Sequence, residues 1–80
     1  MGRAIVNFSE ALIALRKGLS VYREGWNGVK YGVKMSVFAQ IPDENSKMSS
    51  PYLVMNVDGN LTPWTPSQSD LFSEDWVVGE

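Results

Sequence analysis

Apolar and polar positions change period several times along this chain, and each change marks an element. Phe8, Ala11, Leu12 and Leu15 fall at i, i+3, i+4 and i+7, the stripe of an amphipathic helix. Asn7 and Glu10 precede it at capping-box spacing, Arg16 and Lys17 occupy its last turn, and Gly18 supplies a stop, so a helix is predicted from about Phe8 to Lys17. Its apolar face should cover one side of a sheet. Met1 to Val6 reads as an extended lead-in, and Leu19 to Arg23 as a short strand around Val21. That strand runs into Glu24-Gly25-Trp26-Asn27-Gly28, where Asn-Gly is the preferred pair of a type I′ turn, and a tight reversal is predicted there with Trp26 held on it.

From Tyr31 to Ala39 the period becomes two, with Tyr31, Val33, Met35 and Val37 alternating with polar residues such as Lys34 and Ser36. Ile41 to Pro51 is polar and rich in turn formers, the pattern of a surface connection. Tyr52 to Val57 resumes strand character, Asp58-Gly59-Asn60 signals a turn, and Leu61 to Trp64 should pair back, with Pro63 placing that strand at an edge or a bulge. Ser67 and Asp70 form a second capping box opening a short helix from about Gln68 to Ser73, and Trp76-Val77-Val78 closes the chain as a strand. The expected fold is a small α+β domain over residues 1–80. One N-terminal helix packs on an antiparallel sheet of about four or five strands, and a short second helix precedes the last strand.

Composition narrows the chemistry. Eighty residues make a modest core, which favours self-association. With no cysteine and no histidine, a disulfide, a conventional zinc site and a histidine-based triad are excluded, and no metal, cofactor or catalytic residue is assigned. No apolar run approaches the ~18 residues that span a bilayer, and no signal-peptide core is present, so a cytoplasmic protein with no membrane partner is expected. The net charge is −2, and every Lys and Arg lies at or before Lys47 while the remainder carries only acids. Without a basic stripe or tail, polymeric DNA or RNA is not an expected partner. A small anionic ligand needs only one or two cations and some amides.

The densest functional chemistry lies between Pro63 and Trp76, where two tryptophans stand among hydroxyl, amide and carboxylate groups. Trp64, just before a capped helix start, and Trp26 can each offer an indole face to a base. In such a site Arg23 would lie near a phosphate, and Asn27, Ser67, Gln68 and Asp70 would bond base or ribose edges. These seven residues are the candidate ligand-binding site. The alternative at this point is that the tryptophans are core and Ser67 is only a cap. Trp76, opening an apolar strand, is assigned to the core.

The helix Phe8–Leu15 with Gly18, the run Arg23-Glu24-Gly25-Trp26-Asn27-Gly28, and Asp58-Gly59, Pro63-Trp64, Ser67-Gln68-Ser69-Asp70-Leu71 and Glu74-Asp75-Trp76 together resemble the second family of phage Thoeris anti-defence proteins. The resemblance spans almost the whole chain. It implies a sponge rather than an enzyme: a small homo-oligomer, typically a tetramer, that binds cyclic ADP-ribose derivatives made as bacterial immune signals and holds them uncleaved in the infected host cytoplasm. Some members also bind cyclic dinucleotides at separate pockets. Two departures stand out. Pro66 replaces an expected small, flexible residue, and Val29 to Ser50 shows little of the family pattern.

Two other functions compete. A protein-interaction module that inhibits or recruits a host protein would use exposed aromatics as anchors. An enzyme would draw on Asp70, Glu74 and Asp75, of which Asp70 and Glu74 have the spacing to share a helix face, although acids so spaced are usually a solvated face.

Overall fold

The computed structural model describes residues 5–79. Its elements run β1 (Ile5–Val6), α1 (Phe8–Arg16), β2 (Val21–Arg23), α2 (Asn27–Lys30), β3 (Met35–Gln40), β4 (Tyr52–Val57), β5 (Asn60–Pro63), α3 (Gln68–Phe72) and β6 (Trp76–Val78). Six strands make one antiparallel sheet in the order β1-β6-β2-β3-β4-β5. The strand beyond the four or five expected is the end of the lead-in, which pairs Ile5 with Val77 and Val6 with Trp76. Met1 to Ala4, the rest of that lead-in, lie outside the described residues.

Helix α1 forms where the periodicity places it. Asn7 accepts from the Glu10 amide at 3.0 Å, and Glu10 accepts in return from the Asn7 amide at 3.4 Å, closing the capping box. At the other end Gly18 takes a φ of +88°, open to a residue without a Cβ. The helix lays Ala11, Ala14 and Leu15 on Val21, Val37, Met55 and Trp76, and all seven are buried. Because side chains alternate along a strand, Tyr22, Ser36, Phe38, Val54 and Asn56 belong to the other face of the sheet, away from α1.

Two local expectations are corrected. Asn27 and Gly28 do not make a type I′ reversal, which would need positive φ at both; neither has it. Asn27 instead opens the single turn of α2, with Trp26 in extended conformation as its N-cap. A Cβ on Gly28 would run into the Met35 sulfur, so this glycine serves packing rather than turn geometry. The strand expected from Tyr31 starts only at Met35, because Tyr31 caps α2 and Gly32, at φ +85°, turns the chain first. Positive φ at two successive residues occurs at Asp58 (+49°) and Gly59 (+93°), a two-residue loop joining the Val57–Asn60 pair of the β4–β5 hairpin. Pro63 lies on β5, an edge strand, where its missing N–H costs no ladder bond.

Trp76 is fully buried, with its ring centroid 5.4 Å from Phe8. Replacing it with alanine removes the largest side chain of the core. Trp76→Ala is expected to lower the unfolding free energy by about 3–5 kcal/mol in chemical denaturation.

Candidate functional site

The candidate site is built outward from Asp70. Helix α3 is five residues long, too short to persist without tertiary support, and its start is fixed by a capping box in which Ser67 Oγ accepts from the Asp70 amide at 3.2 Å. The Asp70 carboxylate then bonds in two directions. Its Oδ2 accepts from the Ser67 amide at 2.8 Å and the Ser67 hydroxyl at 2.9 Å. Its Oδ1 accepts from Arg23 Nη1 at 2.8 Å and from the Trp26 indole N–H at 3.1 Å. A carboxylate offers about four lone-pair directions, and here four donors fill them. The Asp70 carbonyl receives a further bond from the Trp76 indole N–H at 2.9 Å.

Asp75 completes the network. Its Oδ1 accepts from Arg23 Nε at 2.8 Å, and its Oδ2 from the Gly25 amide at 2.7 Å. A Cβ on Gly25 would overlap that Oδ2, so only glycine lets the carboxylate approach the backbone. Burial by itself would raise the pKa of both acids, but their donors outweigh it. The Ser67 amide, Arg23, Trp26 and the Ser67 hydroxyl bring Asp70 below the ordinary carboxylate value, and Arg23 and the Gly25 amide do the same for Asp75. Burial would likewise lower the Arg23 pKa, yet its two carboxylates raise it above the ordinary value.

Around these charges the three indoles meet edge to face, with centroids 6.0 Å apart for Trp26–Trp64, 5.5 Å for Trp26–Trp76 and 6.2 Å for Trp64–Trp76. Five of the seven candidate residues therefore converge: Arg23, Trp26, Trp64, Ser67 and Asp70. Asn27 and Gln68 stand exposed on α2 and α3. Asp75, a candidate acid on sequence alone, and Trp76, buried in the core as expected, both belong to the same knot. Asp70 and Glu74 do not share a helix face, because α3 ends at Phe72 and Asp70 is turned inward.

The arrangement has a chemical consequence. One guanidinium and two carboxylates give the knot a net charge of −1, unfavourable for a phosphate, and the anion position at the start of α3 is already taken by the Asp70 side chain. A concavity of about 750 Å³ lies elsewhere, lined among others by Tyr22, Val33, Lys34, Ser36 and Asn56. Part of its wall comes from the Val29 to Ser50 stretch that departs from the family pattern. Alternation along the strands had already singled out Lys34 and Ser36 as polar positions, but nothing in the sequence paired them with Asn56. Among the described residues, no cluster of three or more acids is placed to hold a metal ion.

Residues 6–79 match the family model of the Thoeris anti-defense 2-like domain. The chain belongs to this family. A relative, Thoeris anti-defense 2 of Bacillus phage SP01, is 28% identical over 83 residues, covering 91% of this chain and 93% of that protein. Family membership places the chain among phage proteins directed against Thoeris defence. No helix among the described residues is long and apolar enough to cross a membrane.

The lowered carboxylate pKa values set a pH dependence. The stability that Asp70 and Asp75 contribute is complete above their unfolded pKa, about 4, and is lost as pH falls through the lower folded values. Denaturation midpoints should hold steady from neutral pH to about pH 5 and drop in stronger acid. Asp70→Asn should flatten that acid limb and, by leaving Arg23 short of a partner in a largely buried network, cost on the order of 3 kcal/mol at neutral pH.

Proposed function

We propose that this member of the Thoeris anti-defense 2-like family acts as a sponge: it binds a cyclic ADP-ribose-type immune signal and holds it without cleaving it. The observation that carries the reading is the match to the family model over residues 6–79, since Thoeris is the defence that the family name identifies as its target. A cavity of about 750 Å³ accords with it, being within the usual range of small-molecule sites. The chemistry of the chain points the same way. It has no histidine or cysteine, and the Asp70 carboxylate is saturated by four donors, which leaves it unsuited to proton transfer. Cyclic dinucleotides are a second ligand class for the same test.

Sequestration implies stoichiometric protein, and a small chain gains stability by assembling. Ile5, Ile13, Leu61 and Phe72 are all more than half exposed, apolar surface that a homo-oligomer, a tetramer by family resemblance, would cover. The competing reading, a module that inhibits or recruits a host protein, would use the same surface for a different partner.

Two measurements test this. The protein is incubated with cyclic ADP-ribose isomers and cyclic dinucleotides, filtered, and heat-denatured, and the released material is weighed by mass spectrometry. Depletion with intact recovery is expected; a new product mass would mean catalysis, and no depletion would favour the interaction module. Light scattering at micromolar concentration should give a mass above that of one chain, and a monomeric mass would remove assembly from the account.

A further inference from the structure

We infer that the connection between β3 and β4 holds a cleavage site that the fold tolerates: an endopeptidase cutting after basic residues severs Lys47 from Met48, and the two halves stay clasped as one folded unit. Residues 41–51 contain no helix or strand, and apart from half-buried Pro42 all of them are exposed. The internal bonds of this loop run from the Asn45 and Ser46 amides back to Asp43 and stop there. Among the described residues no backbone hydrogen bond holds Lys47 or Met48. A protease takes its substrate as an extended segment, so a bond in such a loop is reached without unfolding anything else. The other basic residues described are protected. Arg16 lies in α1 and Lys17 caps it, Arg23 lies in β2 and Lys30 in α2, and the Lys34 carbonyl accepts from the Asp58 amide at 3.0 Å. Hydrolysis adds one water across the Lys47–Met48 peptide bond, leaving a carboxylate on Lys47 and an ammonium on Met48.

The two halves complete each other. Residues 1–47 carry β1, α1, β2, α2 and β3, and residues 48–80 carry β4, β5, α3 and β6. Neither half holds the core alone: Ala11, Ala14, Leu15, Val21 and Val37 come from the first, Met55 and Trp76 from the second. Three seams join them. β3 pairs with β4 from Met35 to Gln40, β6 of the second half inserts between β1 and β2 of the first, and Arg23 of the first donates to Asp70 and Asp75 of the second at 2.8 Å each. Charge acts in the same sense. The first half holds all seven Lys and Arg against four acids, a formal charge of +3, and the second holds five acids and no base, a formal charge of −5. A cationic half and an anionic half attract across their boundary, and the new end groups leave the signs opposite. The uneven distribution of charge along the chain therefore maps onto the two sides of one internal interface. A chain cut at Lys47 keeps the fold on which any binding depends.

The test treats the full-length protein with a low ratio of trypsin, quenches the reaction, and reads the products by size-exclusion chromatography, denaturing mass spectrometry and circular dichroism. Among the described basic residues the first cut is expected after Lys47, with the two fragments in equal amounts under the uncut elution peak and the far-UV spectrum retained. Lys47→Gln should slow that first cut by about tenfold or more at an unchanged melting temperature, because the remaining sites are exposed only by local unfolding. The intact connection supplies an effective concentration on the order of millimolar, so at ~10 μM protein its loss should weaken the folded state about a hundredfold. Dilution should then lower the melting temperature of the cut form more than that of the uncut form. Salt at about 1 M should do the same by screening the attraction between the halves. Resistance at Lys47, a first cut after Arg16, Lys17, Arg23, Lys30 or Lys34, fragments that elute apart, or loss of the spectrum on cutting would each overturn the inference. Equal effects of salt on the cut and uncut forms would remove charge from what holds the halves together.

Discussion

The structure turns on the saturation of one carboxylate. Asp70 joins the cap of a five-residue helix, the guanidinium of a strand and the indole of a connecting turn, and its own carbonyl receives a second indole. Each contact alone is a single hydrogen bond, the one from Arg23 strengthened by opposite charges. Together they fasten α3 to β2 and β6, segments some fifty residues apart in sequence. A network of this kind is strong only when complete, because in a poorly solvated site any unpaired member costs more than a bond gains. Gly25 shows how strictly the completeness is enforced. Its lack of a side chain is what admits Asp75, which in turn holds the second edge of Arg23.

The same saturation distinguishes groups already partnered within the chain from groups that face solvent. Residues rich in chemistry drew attention in the sequence because tryptophans, acids and an arginine are the vocabulary of ligand binding. In the fold most of them speak to one another. The less conspicuous Lys34, Ser36 and Asn56 face open space. A polar group that has already found its partners within the chain must give up those bonds to take a ligand in their place.

Much of the architecture was legible from local pattern. Both capping boxes, helix α1, the Asp58-Gly59 turn and the edge position of Pro63 are consequences of short-range sequence and appear where the pattern puts them, although the buried face of α1 takes Ala14 and leaves Leu12 of the expected stripe exposed. What failed was also local in form but tertiary in cause. Asn27-Gly28 has the signature of a hairpin turn, yet Gly28 is small because Met35 lies against it, and the chain coils once there instead of reversing. Of the seven candidate residues, the meeting of Arg23, Trp26, Trp64, Ser67 and Asp70 follows from the pairing of β2 with β6, which no periodicity reveals. The cavity was hidden for a related reason: Ser36 and Asn56 become neighbours only through the register of β3 and β4.

The strand order carries one further implication. β6, which follows the other described elements in sequence, lies between β1 and β2, so during synthesis those two strands wait with a gap between them until Trp76 to Val78 emerge. The Trp76 indole that plugs the core arrives with the same three residues. Folding is therefore tied to β6: a chain without it holds two unpaired edges and an unfilled core, so truncation ahead of Trp76 removes the fold instead of trimming it.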